Sequence, residues 1–165
     1  MAENYSFDVV SDFDRQELVN VVDQLRREIG QRYDLKDSKS EIIIEETALV
    51  INSDSDMTLR AIEDILLKKA TKRNLSLKIF DFQKAEASGG NRLIQRVNLR
   101  KGLSKELAKE LTKTIRNQLK KINVSIQGES IRVAGKNKDE LQSAISILRD
   151  KENDLEVPLQ FENYR

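Results

Sequence analysis

The side chains available for chemistry in this sequence are cations, carboxylates and hydroxyls, because Cys, His and Trp are absent from its 165 residues. Without Cys the chain has neither a disulfide framework nor a thiol nucleophile, and without His it lacks the usual proton shuttle at neutral pH. A zinc site would need ligands of one of those two types. No motif places the remaining Asp, Glu, Lys, Ser, Thr and Tyr together as a catalytic set. We therefore expect no catalytic residue, no metal, no cofactor and no enzyme activity.

An aromatic side chain and several cations stand close together in the segment QRYDLKDSKS (31–40). Arg32, Tyr33 and Lys36 are its candidates, since a ring can stack on a base while a guanidinium and an ammonium pair with phosphate. A loop that leaves a helix can have the same composition without any ligand. The sequence leaves both interpretations open.

A second cationic segment, SIQGESIRVAGKNKDELQ (125–142), places a glycine turn, Arg132, Gly135, Lys136 and a predicted helix start in quick succession. Backbone N–H groups at such turns and helix starts can bind phosphate. Arg132 and Lys136 are therefore predicted to pair with phosphates, as is Arg116 on the preceding helix. The motif is weak because neither GxGxxG nor GxxxxGK[ST] occurs, and Asn137 is expected to occupy the free N–H groups as a helix cap.

A stripe of lysines follows one face of the helix predicted over 104–121. At about 100° per residue, the following side chains fall within a narrow arc opposite the apolar face: Lys105, Lys109, Lys113, Arg116 and Lys120. The lysines form a candidate patch for the phosphates of a nucleic acid. The net charge is only +1, from 29 Lys and Arg against 28 Asp and Glu, so any such site depends on local charge segregation. A solvated helix face would show the same stripe.

The elements that position these side chains follow the same order twice. Helices are predicted where apolar residues recur at helical spacing after a capping residue, which is Asp14, Ser55 or Asp56, Ser104 and Asn137 in turn. Strands are predicted where apolar residues alternate, over 5–10, 41–46, 48–53, 75–82, 92–100, 123–127, 130–135 and 157–161. The resulting order, βαββαβ twice, indicates an α+β fold of two tandem ferredoxin-like domains.

Ferredoxin-like sheets leave one face open, and RNA-recognition modules stack bases on aromatic side chains of such a face. Aromatic residues make up only 5% of this chain. Phe7, Phe80 and Phe161 are predicted to belong to the sheets or the core, because apolar alternation accounts for them. Base stacking on the open sheets is therefore weakly supported.

The sequence contains no segment typical of export or of a membrane span. Its start, MAENYSFDVV, has neither a basic region nor a long apolar region. The apolar runs are shorter than the ~18 residues that a membrane span requires. We therefore expect a cytoplasmic protein with no membrane partner.

Several segments, taken together in order, make the sequence resemble the YajQ family of small bacterial proteins over nearly the whole chain. They are SFDVVSD (6–12), RYDLKDS (32–38), LLKKATKRNLSLKIFDF (66–82), RKGLSKELAKELTKTIR (100–116), IQGESIRVAGKNKDELQ (126–142) and PLQFENYR (158–165). The sequence departs from the family pattern at Leu35 and Asp37, where members usually have Phe and Gly. Asp37 places a negative charge beside Lys36.

The resemblance implies that the two domains exchange their first strands. Strand 92–100 would then complete a first ferredoxin-like domain over 11–101, and residues 1–10 would join 102–165 in a second. The segment 84–91, which contains two glycines, is predicted to be a flexible linker. The resemblance also implies a nucleotide, cyclic di-GMP or tRNA as ligand and a regulatory role.

Three functions are consistent with these observations. The first is a nucleotide-binding regulator without catalysis, with GTP, ATP or cyclic di-GMP as ligand. Its phosphates would pair with the predicted cations and its base would stack on Tyr33. The second is an RNA- or tRNA-binding protein that uses the lysine patch. The third is a protein-interaction module whose open sheets are covered by a protein partner.

Overall fold

Strands and helices occur along the whole of residues 5–165, the part of the chain that this computed structural model describes. Its strands and α-helices are β1 (Tyr5–Val10), α1 (Arg15–Gln31), β2 (Glu41–Ile44), β3 (Ala48–Ser53), α2 (Asp56–Lys72), β4 (Phe80–Phe82), β5 (Glu86–Ser88), β6 (Arg92–Leu99), α3 (Lys105–Gln118), β7 (Asn123–Gln127), β8 (Ser130–Gly135), α4 (Lys138–Glu152) and β9 (Gln160–Glu162). The chain divides into two units, of which one is Phe13–Arg100 and the other joins the described residues through Asp12 to Lys101–Arg165.

The unit Phe13–Arg100 is built on an antiparallel sheet with the strand order β2-β3-β6-β4, and β5 also pairs with β6. Successive side chains of a strand point to opposite faces, so Leu49 and Ile51 of β3 lie in the core with α1 and α2. Leu25 of α1 and Leu66 of α2 are fully buried in the same core. Both helices therefore cover one face of the sheet.

The other unit has an antiparallel sheet with the order β7-β8-β1-β9. Phe7 of β1 and Val133 of β8 are opposite each other and fully buried. Leu111 of α3 and Leu148 of α4 belong to the same core. This unit therefore repeats the arrangement of two helices on one face of an antiparallel sheet, here of four strands.

The strand pairing confirms the α+β fold of two tandem ferredoxin-like domains with exchanged first strands. β1, the first strand of the chain, pairs with β8 and β9 near its other end. β6, the first strand of the second sequence repeat, pairs with β3 and β4 of the first. Each sheet is thus completed by a strand from the other sequence repeat.

Each helix begins after a capping residue that the sequence predicts, with Ser55 rather than Asp56 as the cap of α2. The Asp14 side chain accepts hydrogen bonds from the backbone N–H groups of Gln16 and Glu17. Ser55, Ser104 and Asn137 each accept one from the residue three positions later. These side chains satisfy N–H groups that have no partner within the helix, which fixes the helix starts.

Several predicted elements differ from the structure. The strand predicted over 41–46 ends at Ile44. The strand predicted over 75–82 is a 3₁₀ turn at Leu77–Ile79 followed by β4, because the Ser76 side chain accepts the N–H of Lys78 and bends the chain. The strand predicted over 157–161 begins only at Gln160, since Pro158 has no N–H for a sheet ladder. The predicted linker 84–91 contains β5, which pairs with β6 as the arm of a hairpin.

No helix in residues 5–165 is both long enough and apolar enough to cross a membrane.

Candidate functional site

The Arg32 guanidinium, predicted to hold a phosphate, is paired with two carboxylates of its own segment. It donates to Asp34 through Nε at 3.0 Å and through Nη2 at 2.9 Å, and its Nη1 lies 3.4 Å from Glu28. The hydrogen bond from Arg32 lowers the pKa of the Asp34 carboxyl below its ordinary value. A phosphate at Arg32 would have to compete with these carboxylates.

Tyr33 and Lys36 form a cation–π pair on the loop that follows α1. The Lys36 ammonium lies 5.3 Å from the centroid of the Tyr33 ring, and the tyrosine is 89% exposed. Leu35 between them is buried in the core. The structure thus brings these two predicted residues together, on a surface where the ring is open to solvent.

Arg132 is paired with a carboxylate on the face of its sheet that points away from the helices. Its Nε donates to Asp8 at 3.0 Å, and the Asn163 side-chain amide donates to the same carboxylate at 2.8 Å. The hydrogen bond from Arg132, with a further one from Asn163, lowers the pKa of the Asp8 carboxyl. The predicted phosphate ligand therefore already has an anionic partner within the fold.

The other two predicted phosphate ligands do not share the carboxylate partner of Arg132. Arg116 donates through Nη2 to the backbone carbonyl of Val124 at 2.7 Å, which holds it against β7. Lys136 is exposed, directly before the Asn137 cap of α4. These three cations have no shared partner among the hydrogen bonds of the described residues.

The predicted lysine stripe is present on α3, except at its end. Lys105, Lys109 and Lys113 are exposed, and the last two line an open groove of about 290 Å³ beside β7. Lys120 lies beyond the helix, since α3 ends at Gln118 and the extended backbone of Leu119 leads to the buried Ile122. The predicted helix over 104–121 was therefore too long, and Lys120 does not belong to the helical stripe.

A cavity of about 410 Å³ in the unit that contains β1 brings together residues that the sequence analysis did not select. Its lining consists of two aromatic, two cationic, two apolar and two polar residues: Tyr5, Tyr164, Lys138, Arg165, Leu141, Ile145, Ser6 and Gln142. We call it the tyrosine cavity. None of its lining residues carries a carboxylate side chain, so their side chains give it a net positive charge.

Three elements build the tyrosine cavity. The first two turns of α4 supply Lys138, Leu141, Gln142 and Ile145, which share one helix face because they are spaced by three or four residues. β1 supplies Tyr5 and Ser6. The segment after β9 supplies Tyr164 and Arg165.

Two interactions hold the segment after β9 against β1 beside this cavity. The backbone of Arg165 exchanges two hydrogen bonds with that of Ser6, at 3.0 and 3.3 Å. The Tyr164 ring lies 6.0 Å from the ring of the buried Phe7, measured between centroids. The Lys138 ammonium lies 5.4 Å from the Tyr5 centroid, so a cation and an aromatic face are presented together at the start of α4.

This arrangement suits a ligand that has both a flat ring and an anionic group. Aromatic faces stack on bases without regard to base identity. Cations pair with phosphate, and the start of a helix favours negative charge. Sequence reasoning missed the site because Tyr5 and Tyr164 lie near opposite ends of the chain. The usable signal was the implied strand exchange, which places YSF (5–7) beside the segment ending in NYR (163–165).

No cluster of three or more metal-ligating side chains is found within residues 5–165.

The family and the proteins that are similar to this chain all carry the description of a nucleotide-binding protein. The family described as "Nucleotide-binding protein YajQ-like" matches residues 5–165. A protein of Prochlorococcus marinus (strain MIT 9211), named a nucleotide-binding protein, is 68% identical over 165 residues, which is 100% of both chains. Proteins with the same name from Synechococcus sp. strains CC9605 and JA-3-3Ab are 67% and 60% identical, also over 100% of both chains.

Proposed function

Because this chain belongs to the nucleotide-binding protein YajQ-like family, we propose that it binds a nucleotide in the tyrosine cavity and acts as a regulator without catalysis. One observation carries this proposal: two tyrosine rings and two cations line a single cavity that has no carboxylate side chain. The ligand class is a purine nucleotide such as ATP, GTP or cyclic di-GMP. The site belongs to the unit formed by residues 5–12 and 101–165.

The base packs against the tyrosines and the apolar floor. A volume of about 410 Å³ falls within the range of roughly 300–1,000 Å³ that is usual for ligand pockets. Leu141 and Ile145 are buried or nearly so and make the floor apolar. Tyr164 is 59% exposed, so its ring is available to a base.

The phosphates pair with Lys138 and Arg165. Lys138 is the first residue of α4, where the helix dipole also favours an anion. The Asn137 side chain already accepts the N–H of Glu140 at 2.9 Å, so the two side-chain cations, rather than that backbone group, are the main phosphate ligands. Cations of this kind contribute most when they donate charge-assisted hydrogen bonds.

The groups that line the cavity support a role in binding and regulation rather than catalysis. Binding there requires no proton transfer, and the lining has no carboxylate side chain that could act as a general base. A nucleotide that binds only one conformation of the chain shifts the population towards that conformation. The same cavity therefore serves as a sensor of nucleotide concentration.

Calorimetric titration of the full chain with ATP, GTP and cyclic di-GMP tests the proposal. Tyr164→Ala should weaken the binding of whichever nucleotide binds by about tenfold, since stacking on an aromatic ring is worth about 1–3 kcal/mol per base. Tyr33→Ala, which removes an exposed tyrosine outside the tyrosine cavity, is the matched control and should change nothing. A loss with Tyr33→Ala but not with Tyr164→Ala would move the site to the 32–38 loop.

RNA binding on α3 is a second candidate, favoured by the exposed stripe of Lys105, Lys109 and Lys113. Fluorescence anisotropy with a labelled single-stranded RNA, repeated over a series of salt concentrations, tests it. Binding through the stripe should give a log–log salt slope of about −0.7 per phosphate neutralised. The variant with all three lysines changed to Glu should lose both the affinity and the slope. RNA affinity that persists in this variant would exclude the stripe as the RNA site.

A further inference from the structure

The unit Phe13–Arg100 contains a larger cavity, of about 490 Å³, whose lining differs in kind from that of the tyrosine cavity. It lies where the last turns of α1 and α2 meet the 3₁₀ turn that follows α2. Its residues are Glu28, Arg32, Ile65, Leu67, Lys68, Lys69, Thr71, Lys72 and Leu77. We call it the aliphatic cavity, because its apolar side chains are Ile65, Leu67 and Leu77 and it contains no aromatic ring.

Leu77 is the unusual member of this lining. It is 43% exposed, although it lies between the buried residues Leu75 and Ile79. The 3₁₀ turn turns its side chain away from the core and towards the cavity that it lines. An exposed leucine beside Ile65 and Leu67 offers an apolar surface suited to an alkyl chain. A nucleobase would find no ring to stack on.

The charges of the aliphatic cavity are only partly neutralised by the fold. Glu28 accepts from Lys69 at 3.0 Å and from Arg32 at 3.4 Å, and the bond from Lys69 lowers the pKa of the Glu28 carboxyl. Lys68 and Lys72 are exposed and have no carboxylate partner among the salt bridges of the described residues. They are four residues apart on α2, so their side chains are neighbours on one face.

The helix dipole accounts for part of this pattern. Cations in the last turn of α2 are stabilising there without any ligand, and Lys69 and Lys72 both lie in that turn. The dipole explains neither the exposed Leu77 nor an apolar cavity beside the two unpaired lysines. Those two features together suit a ligand that is apolar at one end and anionic at the other.

We propose that the aliphatic cavity binds an amphipathic anion: an alkyl chain packs on Ile65, Leu67 and Leu77, and a carboxylate or phosphate head pairs with Lys68 and Lys72. This site is separate from the nucleotide site, because its lining belongs to the unit Phe13–Arg100. The chain would therefore carry two kinds of ligand site, one on each unit.

Calorimetric titration below the critical micelle concentration tests this proposal with three probes that share one alkyl chain. Dodecanoate and dodecyl phosphate carry the two anionic heads, and dodecyltrimethylammonium carries a cationic one. The anions should bind and the cation should not. Binding of the dodecanoate alone, or of the phosphate alone, identifies which head the lysines prefer. Equal binding of all three probes would show nonspecific apolar adsorption and overturn the proposal, as would the binding of none.

Variants locate the binding of whichever anion binds. Lys72→Glu should weaken it about tenfold or more, since a charged partner is lost and a like charge is added. Leu77→Ser should weaken it by a similar factor, because the alkyl chain loses an apolar surface on which it packs. Met57→Ser is the matched control, since Met57 is an 82% exposed apolar residue at the other end of α2, outside the cavity.

The Met57→Ser variant should bind like the unchanged protein. If it lost as much affinity as Leu77→Ser, the proposal would be wrong. Tyr164→Ala should also leave binding of the alkyl anions unchanged. The nucleotide titrations and the alkyl-anion titrations use different ligands and different site variants. Either proposal can therefore fail without the other.

Discussion

Asp8 and Arg132 are 124 positions apart in sequence, yet the Arg132 guanidinium donates to the Asp8 carboxylate at 3.0 Å across the paired strands β1 and β8. The same carboxylate accepts from Asn163 at 2.8 Å. One buried carboxylate thus connects the first strand of the chain, the central strand β8 and the segment after β9. These are the elements that place Tyr5 and Tyr164 beside the same cavity.

The Asp8 carboxylate should make stability depend on pH in acid. Its pKa is lowered in the folded state by Arg132 and Asn163, so the unfolded chain binds the proton more readily. The stabilisation is therefore fully present above the ordinary aspartate pKa of about 3.9 and is lost as the pH falls through the lower folded value. Asp8→Asn should reduce the urea midpoint at pH 7 and reduce it much less near the folded pKa.

The exposed Asp154 provides the control for this pH series. Asp154→Asn should leave the urea midpoint unchanged at both pH values. An equal loss for Asp8→Asn in neutral and acidic solution would mean that the carboxylate charge is not what stabilises the strand.

The exchange of first strands should be visible as a local loss of stability. Phe7 is fully buried in the core that contains α3 and α4, and Phe→Ala in a core typically costs about 3–5 kcal/mol. In hydrogen exchange, Phe7→Ala should deprotect the amides of α3, α4 and β8 and spare those of β2 and β3. Val97→Ala, in the core of the other unit, should give the reverse pattern. Deprotection of β2 and β3 by Phe7→Ala would contradict the strand exchange.

Arg92 should hold the loop that contains Tyr33 and Lys36. Its guanidinium donates to the carbonyls of Ser38 and Lys39, each at 2.7 Å, and to the Asn52 side chain at 2.9 Å. Arg92→Ala removes the charged donor, and bonds of this kind are worth about 1.5–3 kcal/mol each. Hydrogen exchange of amides 36–40 should therefore become faster while α2 is unaffected.

Arg96→Ala is the control for Arg92, because Arg96 makes a surface pair with Glu45 at 3.0 Å. Such pairs contribute little, so exchange in the 36–40 loop should not change. No acceleration in Arg92→Ala would mean that the loop is held by its buried residues Leu35 and Ser38 alone. Equal acceleration in both variants would mean that the loss of any arginine from β6, rather than of the Arg92 hydrogen bonds, loosens the loop.

Local patterns in the sequence were sufficient for the helices and for most strands. Apolar spacing and a polar cap fixed the start of each helix at the residue where the structure has it, as at Asp14 and Ser104. The strand predicted over 75–82 failed for a local reason. Its alternation resembles that of a strand. The Ser76 side chain, however, accepts the backbone N–H of Lys78 in place of a sheet partner, and a 3₁₀ turn results.

The partners of the candidate site residues were beyond sequence reasoning, because pairing between distant strands decides them. Arg132 looks available in sequence, and only the pairing of β8 with β1 shows that Asp8 faces it. The same pairing creates the tyrosine cavity. Arg32 differs: its partner Asp34 is two residues away, so this pairing could have been predicted from the sequence.

The most direct test of the nucleotide site compares two lysines that each lie beside a tyrosine ring. Lys138→Glu and Lys36→Glu make the same charge change, at 5.4 Å from Tyr5 and at 5.3 Å from Tyr33 respectively. Lys138 is in the first turn of α4, where an acidic residue is favourable, so this variant should fold. In calorimetric titrations with ATP, GTP and cyclic di-GMP, Lys138→Glu should weaken binding about tenfold or more and Lys36→Glu should not change it. The opposite ranking, or no binding of any of the three nucleotides by the unchanged protein, would contradict the tyrosine cavity as the nucleotide site.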